Sequence, residues 1–185
     1  VELLQRLGPT FRAMGIGMQR HAKLLGVDYC AGGRLSRSVQ RQRLVNVAAK
    51  VKRYNSMRKK AAACLFRTGA TPGLRYGAGV LGVNKTMLKA VRRMACGVRG
   101  PTQGRCSFAR LPLAKYDPGL CLATDAIFEW AKAVWEELVD VEEPTTAWKR
   151  ALPVVSASSR PFSQVVGPAG AMVASGLRLG WHVPS

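Results

Sequence analysis

The stretch YGAGVLGVNKT, residues 76–86, carries two nucleotide-binding signatures at once. Gly77, Gly79 and Gly82 spell G-x-G-x-x-G, the dinucleotide fingerprint, and residues 79–86 come within one position of a P-loop, with Asn84 where the second glycine belongs. Read literally, this is an α/β nucleotide-binding enzyme. Read as glycine punctuation, it is a turn between helices. The flanks decide. A dinucleotide fold needs a buried strand running into the first glycine and an acid about 20 residues further on to hold the ribose. Here PGLRY, short and charged, precedes Gly77, and no carboxylate occurs between Asp28 and Asp117. The P-loop needs its second glycine for close approach of backbone to phosphate, and a following apolar strand ending in Asp to hold magnesium. Neither is present in the sequence, so the stretch reads as a turn, and Asn84 as the N-cap of a basic helix.

Working outward, charge divides the chain. Up to Tyr116 there are 24 Lys and Arg against two acids, Glu2 and Asp28; beyond it there are five against eight, and the whole carries +19. A solvated helix face ordinarily mixes signs. A run of this length without a carboxylate fits a polyanionic partner, and nucleic acid is the usual one. An anionic membrane surface is the competing partner. Basic helices that lie on membranes carry Trp or Phe on their apolar face, whereas Phe66 is the sole large apolar aromatic between Arg34 and Gly100. Nucleic acid is favoured. No apolar run reaches the length of a membrane span, and VELLQRLGPTFR has no secretory-signal character, so the expected setting is intracellular, nucleus or cytoplasm. A chain that starts at Val1 and stops in an apolar stretch fits processing, a cloned domain or a fragment of a longer reading frame.

The periodicity predicts a mainly α fold with a short β hairpin near the N-terminus, a basic helical segment, and a smaller acidic helical one. Residues 1–33 read as a helical turn, VELLQRL, followed by two short strands around a polar turn, with 23–29 the clearer strand. Residues 34–100 form the basic segment. Its first helix spans 36–66, with Leu44, Val47, Ala48, Val51 and Tyr54 at helical spacing, Ser36 or Ser38 as cap, and a break near Asn55-Ser56. A broken, turn-rich connector leads to the helix capped by Asn84. At about 100° per residue, Leu88, Val91, Met94 and Ala95 fall on one side of it and Lys85, Lys89, Arg92 and Arg93 on the other. Residues 101–123 read as a Pro/Gly linker. In 124–185, Thr124 caps an acidic helix with Asp125 and Glu129 near its start, and Ile127, Trp130, Ala131, Val134, Trp135 and Leu138 form a face destined for the core. Pro168 opens a last helix that Gly180 closes.

Catalytic patterns are sparse. Five cysteines without a C-x-x-C and two histidines give no metal-ligand spacing, and the cysteines read as reduced thiols. Glu136-Glu137 and Glu142-Glu143 are adjacent pairs that do not face one another on a helix. His21, His182 and Cys30 lie near no nucleophile motif.

Three stretches together resemble a known family. HAKLLGVDY (21–29) resembles the strand after the catalytic palm of reverse transcriptases, and an Arg-rich helical segment follows it, as in non-LTR retrotransposon polymerases. TPGLRYGAGVLGV (71–83) resembles a stretch in or beyond their thumb, with LKAVRRMACG (88–97) as the basic helix after it. GPAGAMVASGLRLGW (167–181) resembles a segment further downstream in some protist retroelements. The resemblance is densest over residues 21–100. It implies the post-palm, thumb-and-downstream part of an RNA-directed DNA polymerase, with palm and fingers upstream in the parent polypeptide. The family's palm holds two magnesium ions on aspartates, including an Asp-Asp pair. This chain has no such pair, so the resemblance carries over no catalytic residue, and no cofactor: Mg2+ belongs to the palm alone. What carries over is the thumb's task of gripping template–primer by its backbone. The candidate contacts are Lys52, Arg53, Arg58, Lys59, Lys60, Lys85, Lys89, Arg92 and Arg93. A second reading of the same composition is a stand-alone basic RNA- or DNA-binding protein whose acidic C-terminal part docks a partner.

Overall fold

The computed structural model describes residues 13–14, 21–24, 27–30, 36–99 and 116–181. The expected VELLQRL turn and most of the expected linker lie outside them. Strands β1 (His21–Leu24) and β2 (Val27–Cys30) pair antiparallel, with Leu24 opposite Val27 and His21 opposite Cys30. A short hairpin near the N-terminus is present as expected, but its strand bounds differ. Both strands follow Gln19-Arg20 in the sequence, and the segment 23–29 that reads as one strand contributes to both.

Asp28 on β2 is buried and starts the next helix. Its carboxylate accepts from the Ser38 hydroxyl (2.8 Å) and the Val39 N–H (2.9 Å) at the opening of α1 (Ser38–Tyr54). The cap expected from Ser36 or Ser38 thus comes from a carboxylate ten residues earlier, with Ser38 as a donor to it. An anion is favoured there by the unpaired N–H groups and the helix dipole. Val47 and Val51 bury the inner stripe of α1, and Leu44 and Tyr54 flank it half-buried.

After the expected break, α2 (Lys59–Leu65) runs into a π-helical turn (Phe66–Ala70) and then α3 (Thr71–Arg75). Pro72 has no N–H and crowds the carbonyl four residues back, which opens the preceding turn. The Thr71 N–H reaches the Phe66 carbonyl, five residues back, and the Thr71 hydroxyl donates to the same oxygen at 3.0 Å.

The opening stretch becomes a single short turn of helix, α4 (Ala78–Leu81), leading to α5 (Lys85–Arg99). Gly77 (φ 79°) and Gly82 (φ 62°) bracket α4 in the left-handed region, which a side chain makes costly. Gly79 allows close approach: a Cβ there would lie 2.7 Å from Cγ of Glu129. Asn84 caps α5 as expected, its Oδ1 accepting from the Met87 N–H at 2.9 Å.

Asp117 caps α6 (Pro118–Trp135) by accepting from the Gly119 N–H at 2.8 Å. This corrects the start expected at Thr124, and residues 118–123 are helix rather than linker. Thr124 lies inside α6 and donates its hydroxyl to the carbonyls of Leu120 and Cys121. Asp117-Pro118 is a cap followed by the residue best suited to a first helical position. Helices α7 (Glu142–Ser156) and α8 (Gly167–Arg178) follow, with a 3-10 turn at Pro161–Ser163 between them. Leu122 and Ala123 of α6 join a core with Val47, Phe66 and Val91, and Ala126 joins a second with Val155, Val165 and Val173. Helix α6 therefore links the basic and acidic segments.

The face of α6 expected to be core is not. Trp135 is 89% and Leu138 68% exposed, and Trp130 is half-buried. The buried face is Leu122, Ala123, Asp125 and Ala126, and α4 and α8 pack against this helix.

Gly82→Ala should lower stability by about 1–3 kcal/mol, since it adds a side chain at positive φ and 3.0 Å from the Phe162 ring. Gly73→Ala, helical and with nothing within 4 Å of the new atom, should be neutral or up to about 1 kcal/mol stabilising. Urea unfolding of the two variants reads this directly.

Candidate nucleic-acid interface

Burial of the apolar side of α5 fixes where its charges go. Leu88, Val91 and Ala95 are buried and Met94 packs against the same core, so Lys85, Lys89 and Arg93 stand exposed on the opposite side. Spaced by four residues, they form one row, about 12 Å long at 1.5 Å per residue. That row matches roughly three to four phosphates of one strand at 3.4 Å rise. A second group brackets the break between α1 and α2, where Lys52, Arg53, Arg58, Lys59 and Lys60 are all exposed within nine residues. Helices α1 and α2 each pack on α5, so both groups ride on one cluster of helices.

Arg92 is placed elsewhere. It is half-buried, and its guanidinium straddles Asp117, with Nη2 at 2.7 Å and Nε at 3.0 and 3.1 Å from the carboxylate oxygens. A matching fork joins Arg75 to buried Asp125, with Nη2 at 2.6 Å and Nε at 3.0 Å from both oxygens. Asp125 thus sits opposite a cation in the body of α6, not at its start to satisfy the dipole. The hydrogen bonds to Asp125 raise the pKa of Arg75. None of Lys52, Arg53, Arg58, Lys59, Lys60, Lys85, Lys89 or Arg93 takes part in an ion pair among the described residues.

A third set of cations was not legible in the sequence as structural. Arg37 donates to the carbonyls of Leu81 (3.2 Å), Gly82 (3.2 Å) and Phe162 (2.8 Å). Buried Gln40 donates to Gly82 as well, Arg178 to Val83, and Arg43 to Tyr76. Arg178 also stacks on the Phe162 ring, 3.8 Å from its centroid. Burial lowers the pKa of Arg37, with Arg41 adding to the effect. Burial, with Arg37 and Arg92 nearby, pushes Arg178 down to about 10, so it remains cationic at neutral pH. The loop that looks like a phosphate cradle therefore turns its carbonyls, not its N–H groups, toward these arginines. A phosphate-binding loop does the reverse.

Among the described residues no three His, Cys, Asp or Glu side chains come together as a metal site, and Cys64, Cys96 and Cys121 take part in no disulfide. None of the described helices is long and apolar enough to cross a membrane. No protein-family profile, no curated protein and no solved structure matches the chain.

Asp117→Ala should cost about 1–3 kcal/mol, because it uncaps α6 and leaves the half-buried Arg92 without its carboxylate. Lys89→Ala, exposed and unpaired, should stay within about 0.5 kcal/mol of the parent. Urea midpoints at constant m-value are the measurement.

Proposed function

We propose that this chain grips the sugar–phosphate backbone of a nucleic acid, without base readout, and that it does so as the thumb-like part of a retroelement reverse transcriptase whose palm and fingers lie upstream. The observation that carries the reading is the separation of cations by task. Arg37, Arg75, Arg92 and Arg178 are spent on the fold, yet a row on α5 and a cluster at the α1–α2 break remain exposed, on helices with no carboxylate of their own. Unneutralised like charges at this density repel one another unless a polyanion neutralises them. Lysines and arginines that track phosphates supply affinity that depends on salt and not on sequence. The polymerase context rests on the resemblance over residues 21–100. A nuclear or cytoplasmic setting goes with the nucleic-acid reading.

Fluorescence anisotropy with an RNA–DNA hybrid duplex across a salt series tests this. Log K should fall with log salt by several units, at roughly 0.7–0.9 per phosphate neutralised. Changing Lys85, Lys89 and Arg93 together to Ala should reduce that slope by about 2–3 while helicity is kept. Arg92→Ala should lower stability and leave the slope nearly unchanged. Absence of binding at low salt by a folded sample would overturn the reading.

A further inference from the structure

At the other end of the charge distribution lies a groove of about 1130 Å³ between α6, α7 and the α3–α4 region. Trp130, Val134, Val139, Pro144, Ala147 and Val154 supply much of its wall. Val154 is 54% exposed, and Val166, also on the wall, 65%. This is apolar surface in contact with water, the kind that marks an interaction site.

Its rim has a definite sign. Glu129 and Glu143 line the groove, and the connection from α6 to α7, which contributes Val139 to the wall, carries exposed Glu136, Glu137 and Asp140, with Glu142 opening α7. Six of the chain's ten carboxylates thus fall within residues 129–143. Among the described residues their one ion pair is Lys132–Glu136 at 3.9 Å, with both side chains exposed, a geometry worth little. Arg150 also reaches the groove, while Arg75 there is already bound to Asp125. In a chain of net charge +19, this is a local excess of negative charge beside exposed apolar surface.

We infer that this groove docks a basic amphipathic helix of a partner protein, with its apolar side chains against Trp130, Val134 and Val154 and its Lys and Arg residues over the carboxylate rim. Helix-in-groove recognition uses anchors at i, i+3 or i+4, and i+7, and a groove of this size accepts about three such side chains. Charge complementarity selects the occupant. Phosphate backbones and anionic lipid surfaces are repelled by the rim. A second copy of this chain is a poorer fit, because its basic helices have already buried their apolar stripes: Val47 and Val51 on α1, Leu88 and Val91 on α5. The inference is independent of the nucleic-acid reading, since it uses none of the same residues.

The test uses the full chain and two fluorescein-labelled synthetic helices of about 18 residues, one built from Leu and Lys and the other from Leu and Glu. The Leu/Lys helix should bind with a micromolar Kd that weakens with salt, whereas any Leu/Glu helix drawn to the cationic row on α5 should bind in a way that groove substitutions do not change. Val154→Lys and Glu143→Lys, both at exposed positions that leave the core intact, should each weaken the Leu/Lys complex about tenfold or more with unchanged circular dichroism. A Leu/Lys complex untouched by Val154→Lys, a Leu/Glu complex weakened by Glu143→Ala as much as the Leu/Lys complex, or no binding of the Leu/Lys helix would overturn the inference. So would a dimer of the chain alone, seen by sedimentation and abolished by Val154→Lys, since that assigns the groove to a second copy.

Discussion

A chain with two carboxylates in its first 116 residues can pair only some of its partly buried cations with acids, and the fold is organised by where the others go. Arg37 and Arg178 take backbone carbonyls. In doing so they tie the start of α1, the α4–α5 loop, the turn at Phe162 and the end of α8 to one another. Hydrogen bonds that involve a charged group contribute about 1.5–3 kcal/mol each, against the cost of desolvating a guanidinium. The opposed pKa directions report both sides of that balance. Burial without a carboxylate lowers Arg37 and Arg178, whereas Arg75, held by Asp125, is raised. For Arg178 the sign follows from its depressed value. Folded and unfolded forms are both protonated below about 10, so the penalty is constant there. It relaxes only as pH climbs from about 10 toward the ordinary arginine value, through a window where the unfolded chain binds the extra proton.

The division of labour also follows side-chain chemistry. The cations engaged within the fold are arginines: 37, 43, 75, 92 and 178, with Arg67 over the Tyr116 ring. A planar guanidinium with five donors can serve three carbonyls at once or fork onto a carboxylate, which a lysine ammonium cannot match. The exposed positions are richer in lysine, including Lys52, Lys59, Lys60, Lys85 and Lys89. These are flexible, strongly hydrated charges suited to following a phosphate chain without fixed geometry.

What was legible in the sequence was what is local. The amphipathic pattern of α5, its Asn84 cap, the break near Asn55 and the stripe of α1 all depend on residues within two turns of each other. The glycines of the opening stretch could be separated from a nucleotide site by their flanks. Their actual reasons were not visible, because the atom that fixes Gly79 belongs to Glu129, fifty residues away. Separation also hid Asp28, on a strand ten residues before Ser38, as the cap of α1, and Arg178 as a clamp on Val83, 95 residues away. Trp135 misled for a different cause. An amphipathic pattern shows which residues share a side of a helix, and not which side the neighbours cover. In α6 the covered side is the one with Ala123, Asp125 and Ala126.

Asp125 also explains how two segments of opposite charge coexist in one fold. Where α3 and α5 meet α6, the forks Arg75–Asp125 and Arg92–Asp117 neutralise the boundary. The remaining charge is then sorted outward, with cations on α1, α2 and α5 and carboxylates on the α6–α7 connection. At physiological salt a charge is screened over about 8 Å, so the acidic rim does not cancel a cationic row beyond that reach. Each surface can meet a partner of opposite sign without releasing the other. At low salt the same sorting makes the molecule strongly dipolar, and the two surfaces then influence each other's affinity. Their coupling is therefore set by ionic strength more than by any shared contact, because the residues that join them are already paired with each other.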